Sequence, residues 1–344
     1  MSTSGALVGV GMSTPLGLDA RQSSLVLRAR KLAPGKTELR DRRGLAIGIV
    51  RARRLDDACV GRARMIELAA PALAEATRGL PVSVGPIPLF LALPPRRAEA
   101  EQPLGPDFLE ALARRAGVPI ALDQSEPIAL GHAGFAVALA RALASVWSTR
   151  PHEGARAPSP FAIVGGVDSY LDPAVLAALD QERRLQSEGA WDGFIPSEAA
   201  AFLVVAAPGA APPYARVAAV ATAMEREDDP EDPPMGEAAT EVVRAAAAVL
   251  RAPVPWVLPD VNGERHRVKE WTFVRIRNQD RFDEARTVET RLYEELGDVG
   301  AASGAVHAAY VSMAFRLGFA PAPQALVALS SEGPARGAFA LEAP

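Results

Sequence analysis

The stretch IALGHAGFAVALARAL (128–143) has a near-twin further along the chain, GDVGAASGAVHAAYVSMAF (297–315). Each places a glycine-rich turn directly before an apolar helix built largely from Ala, Gly, Ser and Val. Small side chains of this kind suit a helix pressed between two sheets. The segments around the first copy alternate between the 3.6-residue and two-residue periods. Strands are expected over 6–17, 88–94, 161–169 and 200–208, with helices over 62–80 and 108–117, the latter stopping at Gly117. Around the second copy the same order returns. Strands are expected over 214–223, 255–263, 324–333 and 337–343, and helices over 236–252 and 283–297. Two similar α/β halves follow, divided at 1–209 and 210–344 and packed as one unit. The acidic, proline-rich stretch 223–236 reads as a solvated loop within the second half.

Composition narrows the function classes. The chain has 344 residues, 49% of them hydrophobic and 23% charged, enough for a sizeable core. A net charge of −4 without a long basic cluster argues against nucleic acid as a partner. The single cysteine, Cys59, permits no internal disulfide, which fits a reducing compartment. The opening residues lack a basic, apolar leader, and no apolar run is long enough to span a membrane. A cytoplasmic setting is therefore expected. GVGMSTPLG (9–17) has neither a phosphate-loop lysine nor a complete dinucleotide fingerprint, so no nucleotide cofactor is expected.

Taken together, VGVGMSTPLG (8–17), VGGVDSYLDPAVLAALDQERRLQSEGAWDGFIPSEAAAFLVV (164–205) and GDVGAASGAVHAA (297–309) resemble the β-ketoacyl synthases of the thiolase-like superfamily. The likeness runs over most of the chain and implies a layered α/β/α/β/α fold made of two similar halves. It also implies where the chemistry of that family would sit: a cysteine at a helix N-terminus, activated as a thiolate, and two histidines. In this sequence the cysteine position is His132. The position of the first histidine is Asp260, in Asp260-Val261-Asn262-Gly263-Glu264, and that of the second is Asp298, in Gly297-Asp298-Val299-Gly300-Ala301. The family's gating glycine loop is replaced by Ser331-Glu332-Gly333-Pro334-Ala335-Arg336, and the lysine expected before the second turn has no counterpart among Arg291, Leu292, Tyr293, Glu294 and Glu295.

An imidazole cannot carry a stable acyl thioester, and Cys59 lies outside every matching motif. Condensation is therefore not expected. The resemblance leaves two readings. One is a pseudo-ketosynthase that pairs as a homodimer, or as a heterodimer with a ketosynthase-like chain, and docks an acyl carrier protein. The other is an acyl-thioester hydrolase, transferase or decarboxylase working through His132 with Asp260 or Asp298. Each candidate also has a structural explanation: His132 as a polar filler, Asp298 as a helix cap and Asp260 as a turn residue. Three single residues so far apart make no metal motif, and no metal is expected. Glu264-Arg265-His266-Arg267 fits a surface loop, with pocket lining as the alternative. His307 fits a satisfied core histidine, and His152 carries no signal.

Overall fold

In the computed structural model the described residues are 5–30, 35–81, 84–97, 104–147, 159–188, 192–207, 209–226 and 235–344. His152 and most of the acidic loop lie outside them. The first half runs through β1 (Gly5–Ser13), α1 (Ala20–Ala29), the hairpin β2 (Gly35–Arg40) and β3 (Ala46–Ile49), and α2 (Gly61–Thr77). It continues with β4 (Leu89–Ala92), α3 (Pro106–Ala116), β5 (Glu126–Ile128), α4 (Gly134–Trp147), β6 (Phe161–Ser169), α5 (Pro173–Gln181) and β7 (Glu198–Ala206). The second half holds β8 (Ala215–Met224), α6 (Glu237–Ala247), β9 (Trp256–Pro259), α7 (Arg265–Arg277) and β10 (Val288–Glu289). α8 (Tyr293–Leu296), α9 (Ser303–Leu317), β11 (Gln324–Ser330) and β12 (Ala335–Glu342) complete it.

Ten of these strands form one sheet in the order β10-β9-β11-β12-β8-β1-β7-β6-β4-β5. Read outward from its centre, β1-β7-β6-β4-β5 mirrors β8-β12-β11-β9-β10. The directions match as well: antiparallel at the first two steps of each half and parallel at the last two. A short antiparallel contact, Gly5–Leu7 against Ala215–Val217, joins the two. α4 and α9 touch strands of both halves, whereas α2 packs on β1 and β7 and α6 on β8 and β12. The result is five layers, with α4 and α9 in the middle. The apolar core follows this layering, with one cluster around α4 and α9 and one under each outer helix layer. α4 and α9 are rich in small residues because each must fit between the two halves of the sheet.

The expected helix over 283–297 is a correction. That stretch holds the two-residue strand β10 and the four-residue α8. Val288 and Glu289 pair with Trp256 and Val257, and the N–H of Thr290 reaches the Val257 carbonyl at 2.9 Å. The exposed backbone edge of β9 needs a partner, and the β-branched residues Thr287, Val288 and Thr290 suit a strand. The matching helix is instead α7, which the periodicity missed. α7 buries Trp271 and Val274 but leaves Val268 40% and Ile276 59% exposed, so its apolar residues form no single stripe.

Candidate functional site

Strands β4, β5 and β6 are parallel, as are β9, β10 and β11, and the chain leaves the carboxyl ends of both sets toward one region. Open α/β sheets place binding crevices at that end. Arg97 follows β4, His132 follows β5 and Asp168 lies near the end of β6. From the other half come Asp260 to Glu264 after β9, Asp298 after β10 and α8, and Ser331 and Glu332 after β11.

The two glycine turns are built alike. Gly131–Ala133 and Gly300–Ala302 are single 3₁₀ turns that feed α4 and α9. Leu130 (φ −111°, ψ 5°) corresponds to Val299 (φ −108°, ψ 16°). Gly131 has φ +70° and Gly300 has φ +52°, backbone that side chains rarely adopt. At 300 the approach is also close: a Cβ would lie 1.9 Å from Asp168 Oδ2. That carboxylate accepts the Ala301 N–H at 2.7 Å. Both helix N-termini therefore point at the site and favour negative charge there.

His132, only 1% exposed, is brought to Asp298, 3% exposed: Nε2 lies 2.8 Å from Oδ1. Oδ1 also accepts the Gly300 N–H at 2.7 Å, and Oδ2 accepts from Asn262 Nδ2 at 2.6 Å. Burial alone would raise the Asp298 pKa. The His132 charge and hydrogen bond, the Arg267 guanidinium and the Asn262 amide outweigh it and hold the carboxyl well below its usual range. An ionised carboxylate only accepts, so Nε2 of His132 carries the proton. Asp298 is locked through its backbone too: its N–H bonds Ile195 O at 2.8 Å and its carbonyl accepts Ser197 N–H at 2.9 Å.

Asp260 does not join this pair by any contact of its carboxylate. Arg267 Nη2 lies 3.1 Å from Oδ2, and the Ser330 N–H reaches the carboxylate at 3.1 Å. Glu264 and Arg267 correct the surface-loop reading. Each is 4% exposed, Glu264 capping α7 and Arg267 in its first turn, while Arg265 and His266 face outward. The i,i+3 spacing puts Glu264 and Arg267 on one inward face.

Sequence reasoning passed over Arg97, Asp168 and Arg184 around the pair. Asn262 donates to Glu264 Oε2 at 2.9 Å as well as to Asp298, and Arg184 pairs with Glu264 at 2.8 Å and with Glu332 at 3.0 Å. Asp168 binds Arg97 through 2.7 and 2.6 Å contacts, and that guanidinium lies 3.9 Å above the Tyr170 ring. Burial raises the Glu332 pKa, but Arg97 and Arg184 together pull it below its ordinary value. Asp168 could have been flagged, as a lone charge in the apolar run FAIVGGVDS. The replacement loop works as a clasp: Ser331 Oγ accepts the Ala133 N–H at 2.9 Å and donates to the Leu130 carbonyl. Cys59 sits just before α2, on the outer helix layer, with Arg64 on its carbonyl at 3.0 Å.

Two small cavities adjoin the site. One of about 20 Å³ is lined by Asp260, Arg267, Glu270, Trp271 and Ser330. The other, about 10 Å³, is lined by Asp260, Asn262, Asp298, Ser303 and His307. Each has room for about one water. His132 lines neither of these two. Among the described residues no cluster of three or more His, Cys, Asp or Glu side chains is arranged to hold a metal, and no helix is long and apolar enough to cross a membrane.

No family model matches the chain. No curated protein matches it either. Solved structures do. One is described as a type II polyketide synthase acyl-carrier protein in complex with its ketosynthase bound to the hexaketide (AntDE:AntF); it is 15% identical with a TM-score of 0.76, covering 100% of both chains. A ketosynthase from module 6 of the bacillaene synthase of Bacillus subtilis 168 is 14% identical with a TM-score of 0.71, covering 99% of this chain and 72% of its own. An oxazolomycin ketosynthase domain from Streptomyces albus JA3453 is 13% identical with a TM-score of 0.74, covering 99% and 76%. The chain therefore has the thiolase-like fold of ketosynthase domains.

Proposed function

We propose that this chain is a non-condensing, ketosynthase-like subunit of acyl or polyketide-type metabolism. In this reading it works in the cytoplasm with halves 1–209 and 210–344 as one unit. It pairs with a second copy or with a ketosynthase-like chain and receives an acyl carrier protein. The observation that carries the reading is the side-chain pair at the site. Where condensation would need a thiol, His132 is tied to Asp298 at 2.8 Å. The adjoining cavities, about 10 and 20 Å³, admit a water and not an acyl chain. The carrier protein in the AntDE:AntF structure suggests the partner class. The test is co-expression with a ketosynthase and an acyl carrier protein, followed by sizing of the complex and a condensation assay. Co-purification with a ketosynthase, with the chain alone inactive, is expected. A condensation product from the chain alone refutes the reading.

The His132–Asp298 contact supports a second reading. A carboxylate in direct reach of an imidazole can orient it as a general base in hydrolysis, transfer or decarboxylation of an acyl thioester, with Nδ1 as the working atom. Asp260 has no direct part in it, because its carboxylate is engaged by Arg267 and the Ser330 N–H. Thioesterase activity abolished in His132→Ala would favour this reading; equal background rates in both proteins would remove it.

A further inference from the structure

His307 lies in α9, one turn beyond Ser303, and is 4% exposed. Its Nδ1 is 2.7 Å from the Ser303 carbonyl. A carbonyl only accepts, so Nδ1 carries the hydrogen and Nε2 of the neutral ring is a bare acceptor. Nε2 is buried without a protein partner among the described residues. An orphaned buried acceptor is costly, so such atoms normally find a donor. His307 lines the 10 Å³ cavity together with Asp298, Asn262, Asp260 and Ser303.

The neighbouring side chains leave that need unmet: the hydroxyls of Ser303 and Tyr293 also line the cavity, but neither bonds Nε2. Asn262 has two amide hydrogens, and both are spent, on Glu264 and on Asp298. The two carboxylates that line the cavity can only accept. Asp298 itself is one short. An ionised carboxylate has about four acceptor sites. The hydrogens from His132, Gly300 and Asn262 fill three of them, two on Oδ1 and one on Oδ2. The cavity thus brings two needy acceptors, on His307 and Asp298, to a space the size of one water. A molecule with two hydrogens to give satisfies both, and a buried water normally makes two to four such bonds.

We propose that this cavity is a binding site for one water, which donates to His307 Nε2 and to Asp298 Oδ2. Two imidazoles, His132 and His307, are then joined through one carboxylate, directly on one side and through the water on the other. The site does not depend on the function proposed above, since it concerns the far side of Asp298 from His132.

A high-resolution crystal structure of the full chain, with the His307→Leu variant beside it, tests the site. One isolated density peak is expected, roughly 2.7–3.2 Å from Nε2 and roughly 2.5–3.0 Å from the Asp298 carboxylate. In H307L the peak should be lost or displaced from Asp298. A protein donor found on Nε2, or no peak in the cavity, overturns the proposal, as does a peak that ignores Nε2 and persists unchanged in H307L. If H307L fails to fold, nitrogen-15 spectra of the wild-type chain decide. An Nδ1-protonated ring whose Nε2 resonance is shifted by an accepted hydrogen bond supports the water. The shift of a bare ring nitrogen overturns it.

Discussion

Replacing Asp298 with alanine removes the acceptor on which three buried donors converge. His132 Nε2–H and the Gly300 N–H lose their Asp298 contacts at 2.8 and 2.7 Å, and Asn262 keeps only Glu264. Each buried donor left unpaired costs ~1–3 kcal/mol, and removal of one member of a buried charged pair typically totals ~3–5 kcal/mol. For a chain of this length, ~1 kcal/mol corresponds to about 2 °C, at the low end of the usual range, so Asp298→Ala should melt roughly 6–10 °C lower. Asp298→Asn is the sharper comparison. Its carbonyl can accept from His132 and Gly300, but its amide then faces the Asn262 amide, donor against donor. Flipping Asn262 would sacrifice its contacts with Glu264. The asparagine variant should therefore also lose stability, by ~1–3 kcal/mol. The effect has a definite pH sign. The folded-state pKa of Asp298 is depressed, so its contribution is present above the ordinary carboxyl pKa of about 3.9 and is lost as pH falls below it. Scanning calorimetry at pH 5 and pH 3 on wild type and both variants reads this directly. The gap between wild type and Asp298→Ala should be wide at pH 5 and smaller at pH 3. Melting of Asp298→Ala within about 1 °C of wild type at pH 5 would refute the buried pair as a structural element.

Gly300→Ala should cost ~3 kcal/mol or more, because left-handed backbone is disfavoured by ~1–2 kcal/mol and the new Cβ must displace Asp168 from 1.9 Å. Gly318→Ala shares the backbone strain but meets nothing within 4 Å, so in parallel melts it should lose only about 1–2 kcal/mol. Glu198→Ala strands Arg64, held now by 2.5 and 2.7 Å contacts with both partners buried, and should cost ~3–5 kcal/mol by denaturant titration. The double variant R64M/E198L should recover only part of that loss, because the Ala52 N–H and the Ser169 hydroxyl also lose Glu198 as their acceptor. On incubation with acyl thioesters, intact-mass spectra should show no stable acyl adduct, and Cys59→Ser should leave the spectra unchanged. An adduct on Cys59 would count against the non-condensing reading.

How much was legible in the sequence depended on the kind of force involved. The paired glycine turns, the small-residue helices and the apolar strands could be read because burial inside the layers imposes a local rule on most residues of α4, α9, β6 and β7. The positions of His132 and Asp298 could be read for the same reason: a turn that must be left-handed at Gly131 and Gly300 keeps its register. α7 was hidden because its apolar residues face both ways, and β10 because a two-residue strand is defined by the edge of β9 that it completes. The partnership of charges was legible only as a choice, His132 with Asp260 or with Asp298. Asp260 and Asp298 look equivalent in sequence, each an Asp at the end of an element. Tertiary packing gave one an arginine and the other an imidazole. Arg97, Arg184, Glu264 and Glu332 come from segments far apart in the chain, and only chain closure shows which carboxylate meets which cation. The sequence by itself determined the duplicated architecture and the address of the site, since those rest on local periodicity. The tertiary structure decided the hydrogen-bonded pairing at that address, since it depends on distances that no local pattern encodes.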